Sequence, residues 1–129
     1  MALGCDSSGV QLPTNPDNVS EVFPIADADG NTQPIVPGTA AATWHFNIAR
    51  SGIITATITR LDPTETVGLS LGTWSDTQQL CQPVLINDAA TLNTVINGTA
   101  SVLGAFCVRI YDSGQMTEPA SYVIRVDHP

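Results

Sequence analysis

The sequence predicts an all-β domain, an antiparallel β-sandwich of jelly-roll-like form with about seven to nine short strands. Apolar residues recur at alternate positions in one segment after another, whereas no window sustains the 3.6-residue period of a helix. Turn residues separate these segments at a spacing of roughly ten residues, the rhythm of sandwich strands. Composition agrees: only 12% of the 129 residues are charged, and Thr, Ser, Asn, Gly and Pro take up the difference. At this length one domain with a real core is expected, not two.

Residues 1–20 read as a lipobox-like start followed by a polar, proline-punctuated tether, and residues 21–129 as the single folded domain. The stretch EVFPIADADGNTQPIVPGTAA mixes short apolar pieces with turn residues, so strands there should be short or at an edge. From Thr43 the pattern sharpens. TWHFNIA sets Trp44, Phe46 and Ile48 on one face and His45 and Asn47 on the other. Ser51 and Gly52 mark a turn, after which IITATITRL alternates Ile54, Ala56 and Ile58 with Thr55, Thr57 and Thr59. TVGLSLGTW places Val67, Leu69 and Leu71 opposite Gly68, Ser70 and Gly72. PVLI and TLNTVI are shorter strands, and Asn97-Gly98 is expected to turn the chain. AFCVRIYD alternates Phe106, Val108 and Ile110 with Cys107, Arg109 and Tyr111. A loop, DSGQMTEP, leads to the closing strand SYVIRVDH, with Tyr122, Ile124 and Val126 in register.

Gly68-Leu69-Ser70-Leu71-Gly72 matches G-x-S-x-G, the pattern of a hydrolase nucleophile elbow. An elbow needs a sharp turn from strand into helix. Here the five residues alternate as the body of a strand with no helix after them. Ser70 is therefore expected to be a strand residue, with the two glycines beside a neighbouring side chain or at a bend. Only His45 and His128 could act as a base, and neither has a recognisable acidic partner in the sequence. No catalytic residue is assigned, and the chain is read as a non-enzyme.

The three cysteines suggest two jobs. Cys107 lies in a strand, and Cys81 lies after a strand and before a proline turn. Paired, they would close a loop worth about 3 to 4 kcal/mol and would require an oxidising compartment; unpaired, they would be two buried thiols. Cys5 follows Ala-Leu-Gly and precedes Asp-Ser-Ser-Gly, which resembles the lipobox where a bacterial lipoprotein is acylated. Met1 would then be a trimmed or engineered start, since the charged and apolar parts of a signal peptide do not precede it.

A net charge of −8, with no lysine and four scattered arginines, argues against nucleic acid and against direct binding to an anionic membrane. Membrane contact is expected only through a lipid on Cys5. Asp27, Asp29 and Asn31 have the spacing that begins a calcium loop, but the rest of an EF-hand fails, with Gly38 where the bidentate Glu would stand. A non-EF structural calcium could use these oxygens together with Asp62 or Asp112, the alternative being a solvated Asp-Gly turn. No other cofactor is expected. Of the two tryptophans, Trp44 belongs to an apolar face, and Trp74, at a strand end, is the better ligand platform. His45 reads as a surface histidine. Arg109 is expected to pair with a cross-strand acid.

From about residue 40 the chain shows an aromatic strand, a glycine and a Thr-rich strand in WHFNIARSGIITATITRL, followed by GLSLG. It ends with GAFCVRIYDSG and EPASYVIRV, a strand closing in Tyr-Asp, a loop and a Tyr-containing last strand. These features resemble the bacterial pre-peptidase C-terminal domain and its jelly-roll relatives, in a small secreted or lipoprotein-type form. The resemblance implies a non-catalytic β-sandwich that tolerates or binds calcium, of the kind appended to secreted proteases or found in surface proteins. No peptidase sequence lies within these residues, so a role in helping an attached enzyme is not implied.

The expected function is binding or adhesion by a non-catalytic extracytoplasmic domain, tethered at the cell surface, with a surface glycan or protein as ligand. The alternative is a self-assembling structural subunit of a filament or surface layer. In that reading the apolar patches within residues 6–40 would add a strand to the sheet edge of a neighbouring copy.

Overall fold

A computed structural model describes residues 18–24, 34–38 and 41–129. Eight strands follow in chain order: β1 (Val19–Phe23), β2 (Ala42–Ile48), β3 (Gly52–Asp62), β4 (Val67–Ser75), β5 (Leu80–Ala90), β6 (Val95–Ala100), β7 (Gly104–Tyr111) and β8 (Ser121–His128). No helix occurs among the described residues. The strands form two antiparallel sheets, β1-β8-β3-β6 and β2-β7-β4-β5, the eight-stranded jelly-roll arrangement.

The alternation seen in the sequence becomes the core. Ile54, Ala56 and Ile58 from β3 meet Val67, Leu69 and Leu71 from β4, with Val108 and Ile110 from β7 and Ile124 and Val126 from β8. Side chains point alternately to the two sides of the sheet, so one face of the strands turns to the core, and β4 is buried on both faces from Val67 to Gly72. In β3 the phase changes once. The register with β8 shifts between Ile58 and Arg60, so Leu61 turns inward instead of Arg60. At the β1–β2 side Trp44 stacks on Phe23 across the sheets, and its Nε1–H donates to the Tyr122 hydroxyl at 3.0 Å. Trp44 is thus a wall of the core, as its face in the sequence suggests.

Two local expectations are corrected. Asn97-Gly98 does not turn the chain but lies inside β6, where Thr55 donates to the Asn97 side chain at 2.8 Å. The turn falls earlier, with Asn93 at φ 73° and the Thr94 N–H donating to the Thr91 carbonyl. Packing decides this, because the space above Gly98 is taken by Leu71 and Leu85. The second correction concerns Pro83, which makes no turn. It sits within the eleven-residue edge strand β5, where a missing N–H costs no ladder bond if it faces outward.

β1 starts at Val19, inside the stretch read as tether, and pairs with β8 of its own sheet. Cys5 and the rest of 1–17 lie outside the described residues, as do Asp27, Asp29 and Asn31.

Candidate functional site

The outer face of the β2-β7-β4-β5 sheet carries the features that could recognise a ligand, and glycines shape it. A Cβ on Gly68 would lie 2.1 Å from the Tyr111 ring, so that ring lies directly over the glycine. Tyr111 thereby reaches across β4 to β5, where its hydroxyl donates to Asp88 Oδ1 at 2.6 Å. A Cβ on Gly72 would lie 2.0 Å from the Gln82 carbonyl oxygen, because the main chain of β5 closes over β4 at that point. This approach brings Cys81 to Cys107, with Cα atoms 5.8 Å apart, although β4 separates their strands. The two are joined as a disulfide.

Between the two glycines Ser70 is fully buried, and its Oγ has no hydrogen-bond partner among the described residues. The G-x-S-x-G spacing is therefore explained by packing: small residues under a tyrosine ring and a crossing main chain. A buried hydroxyl without a partner costs desolvation, so Ser70→Ala should be neutral or stabilising by up to about 1 kcal/mol in urea unfolding. A loss of stability beyond that size would show that Oγ is held by a partner after all.

Tyr111 also gives a pH signature. Burial, then the Asp88 hydrogen bond and charge, push its pKa up to about 12, and burial pushes Tyr122 up as well. A phenol whose folded pKa is raised contributes stability that is complete below its ordinary value and lost as pH rises through the folded value. These are the only two tyrosines. Phenolate absorbance should therefore show little ionisation at pH 10.0 and a step at higher pH that coincides with unfolding. A smooth titration centred on the ordinary value would contradict the half-buried, Asp88-bound ring.

Beside the disulfide the same face opens into a hollow of about 300 Å³ lined by Thr43, Trp74, Gln79, Cys81 and Arg109, among others. Trp74 is fixed there from two directions. Its ring is parallel to His45 at 4.4 Å between centroids, and its Nε1–H donates to Asp76 Oδ1 at 2.8 Å. The β4–β5 turn that supplies Asp76 is held by Gln79, at φ 52°, whose side-chain amide donates to the Asp76 carbonyl. The expected ligand platform, Trp74, is thus half-buried in the wall of a concavity, and His45 is its support.

Arg109 departs from expectation. Its register neighbours are Thr43 on β2 and Ser70 on β4, and it pairs with no carboxylate among the described residues. The guanidinium lies 5.5 Å from the Tyr111 ring centroid, a cation–π contact that does not itself use its N–H groups. A half-buried cation in a chain of net charge −8, with an aromatic wall, a hydroxyl and an amide around one hollow, is suited to holding an anionic group.

The remaining candidates lie elsewhere. Asp112, considered as a calcium ligand, accepts main-chain N–H groups from Gly38 at 2.8 Å, Gly114 at 2.8 Å and Met116 at 3.2 Å. These bonds, led by Gly38, hold its pKa below the usual carboxylate value. It therefore clamps a loop. Among the described residues no three His, Cys, Asp or Glu side chains gather as a metal site. His128, for which the sequence offers no partner, meets Glu21 of β1 at 2.6 Å and stacks on Phe46 between the sheets. The two occupy diagonal positions of paired strands, visible only once β1 is placed against β8. Ser70 is on the opposite, outer side of the second sheet, so this imidazole does not serve it. No family model and no curated protein matches the chain.

Proposed function

We propose that this chain is a non-catalytic, extracytoplasmic binding domain whose ligand enters the hollow between Trp74 and Arg109, and that the ligand is an acidic saccharide. The observation that carries this reading is the half-buried Arg109 guanidinium with no carboxylate partner among the described residues, beside an indole. A planar guanidinium takes a carboxylate through two N–H bonds, and an indole offers an apolar surface to a sugar ring. Thr43 and Gln79 supply the neutral donors and acceptors that a sugar hydroxyl needs. The disulfide supports an oxidising compartment, and the resemblance of the strand pattern to pre-peptidase C-terminal domains fits a surface role.

The test is a titration of tryptophan fluorescence with uronic-acid oligosaccharides, with neutral oligosaccharides as control. Trp74 should report binding, since Trp44 is committed to Tyr122 and Phe23. Arg109→Gln should weaken binding of the acidic sugar by about 10-fold or more, the size of one charge-assisted hydrogen-bond pair. Equal binding of neutral sugars, or an Arg109→Gln variant with undiminished affinity, would end this assignment.

A further inference from the structure

We infer that the protein forms a two-fold dimer through the edge of β6, which is unpaired among the described residues, and the apolar cleft beside it. This surface shares no lining residue with the hollow.

The two sheets part company between their edge strands β5 and β6, leaving a cleft of about 330 Å³ lined by Ile54, Leu71, Val84, Leu85, Val102 and Phe106, among others. Gly98 forms part of its floor without a side chain to fill it. Of the residues lining the cleft Val84 is 67% and Val102 66% exposed, and Leu103, next in the chain, is 66% exposed. Single exposed apolar residues need no explanation, but a group of them around an apolar cleft marks an interaction surface.

Charge argues that the occupant is a second copy. The chain carries −8 overall, so two copies repel through most faces. Residues 77–87 and 89–108 contain no charged side chain, and these segments make up nearly all of β5 and β6. Asp88, the exception, accepts the Tyr111 hydroxyl. Two copies meet on this side without like charges in contact.

Among the described residues the β6 edge is also open to pairing. Protected edges carry lysine, proline, charge or a bulge. β5 has Pro83 and two register shifts, whereas β6 reads VINGTA and pairs with β3 without irregularity. Antiparallel pairing of β6 with its symmetry mate keeps inner faces together only when the paired residue numbers sum to an even value. Centring the two-fold axis on Asn97 meets that condition. Asn97 then faces its own copy, and Val95 faces Thr99 in a β-branched pair. The result is one continuous eight-stranded sheet, with both clefts and their apolar rims brought together.

Sedimentation equilibrium of the soluble Cys5→Ser chain tests this, since that change removes both a lipid and a stray intermolecular disulfide. A reversible dimer is expected, tightening as added salt screens the −8 bodies from one another. Val102→Glu with Leu103→Glu should raise the dimer dissociation constant about 10-fold or more by placing like charges face to face. Because both residues are exposed, their replacement should leave the melting temperature of the monomer unchanged. A chain that stays monomeric at every accessible concentration overturns the proposal and points to an extended segment of another protein. A dimer that the double variant leaves equally tight overturns it too, and moves the contact to another surface.

Discussion

Reduction of the Cys81–Cys107 disulfide is expected to destabilise the domain by about 3.5 kcal/mol at 25 °C. The bridge joins residues separated by 26 positions, and on the chain-entropy model a loop of that length removes this much freedom from the unfolded state. For a domain of this size the loss corresponds to a fall of roughly 10–15 °C in Tm. Thermal unfolding with and without a phosphine reductant measures it directly, in a Cys5→Ser background. The Cys81→Ala/Cys107→Ala chain should lose at least as much, since Cys107 is fully buried and its replacement leaves a small void. A fall of only about 3 °C would mean that the unfolded chain is already restrained within the loop that the bridge closes. The same experiment reaches function. Cys81 pairs in register with Trp74, so opening the bridge frees one wall of the hollow, and saccharide affinity should fall with stability.

What could be read from the sequence was governed by the period of two. β2, β3, β4, β7 and β8 each bury one apolar face, so the residues lining the core from these strands could be named from alternation alone. β5 could not, because Pro83 and two register shifts break its alternation. Asn97-Gly98 has the chemistry of a tight turn, yet Asn93 takes the left-handed position nearby and Gly98 is needed where Leu71 and Leu85 leave no room. In the site, Trp74 stood out as an aromatic residue at a strand end. Its stack on His45 and its place near Arg109 depend on the order β2-β7-β4, which gathers residues 43, 45, 74 and 109 from three strands. Local patterning carries no information about that order. The Glu21–His128 contact, across 107 positions, is hidden for the same reason.

Gly72→Ala should be the most damaging of the single glycine substitutions, costing about 3 kcal/mol. The new Cβ would sit 2.0 Å from the Gln82 carbonyl oxygen, 2.7 Å from its carbon and 2.8 Å from Pro83 Cα, all main-chain atoms. No side-chain rotation relieves such a contact, so β5 must move away from β4. The disulfide resists that movement, because Cys81 is the residue before Gln82 and is bonded to Cys107 on β7. Gly68→Ala meets the Tyr111 ring instead, and the ring can swing out at the cost of its burial and its Asp88 bond. Gly98→Ala meets only methyl groups of Leu71 and Leu85 at 3.1 and 3.2 Å, which yield with a small adjustment. Urea unfolding should therefore rank the losses Gly72, Gly68, Gly98, with the last within about 1 kcal/mol of the parent. A Gly72→Ala chain as stable as Gly98→Ala would mean that β5 is not pinned across β4. If the bridge is what pins it, the Gly72→Ala penalty should shrink in the Cys81→Ala/Cys107→Ala background, where β5 can lift. A double-mutant cycle would then show coupling between two changes that add when unconnected.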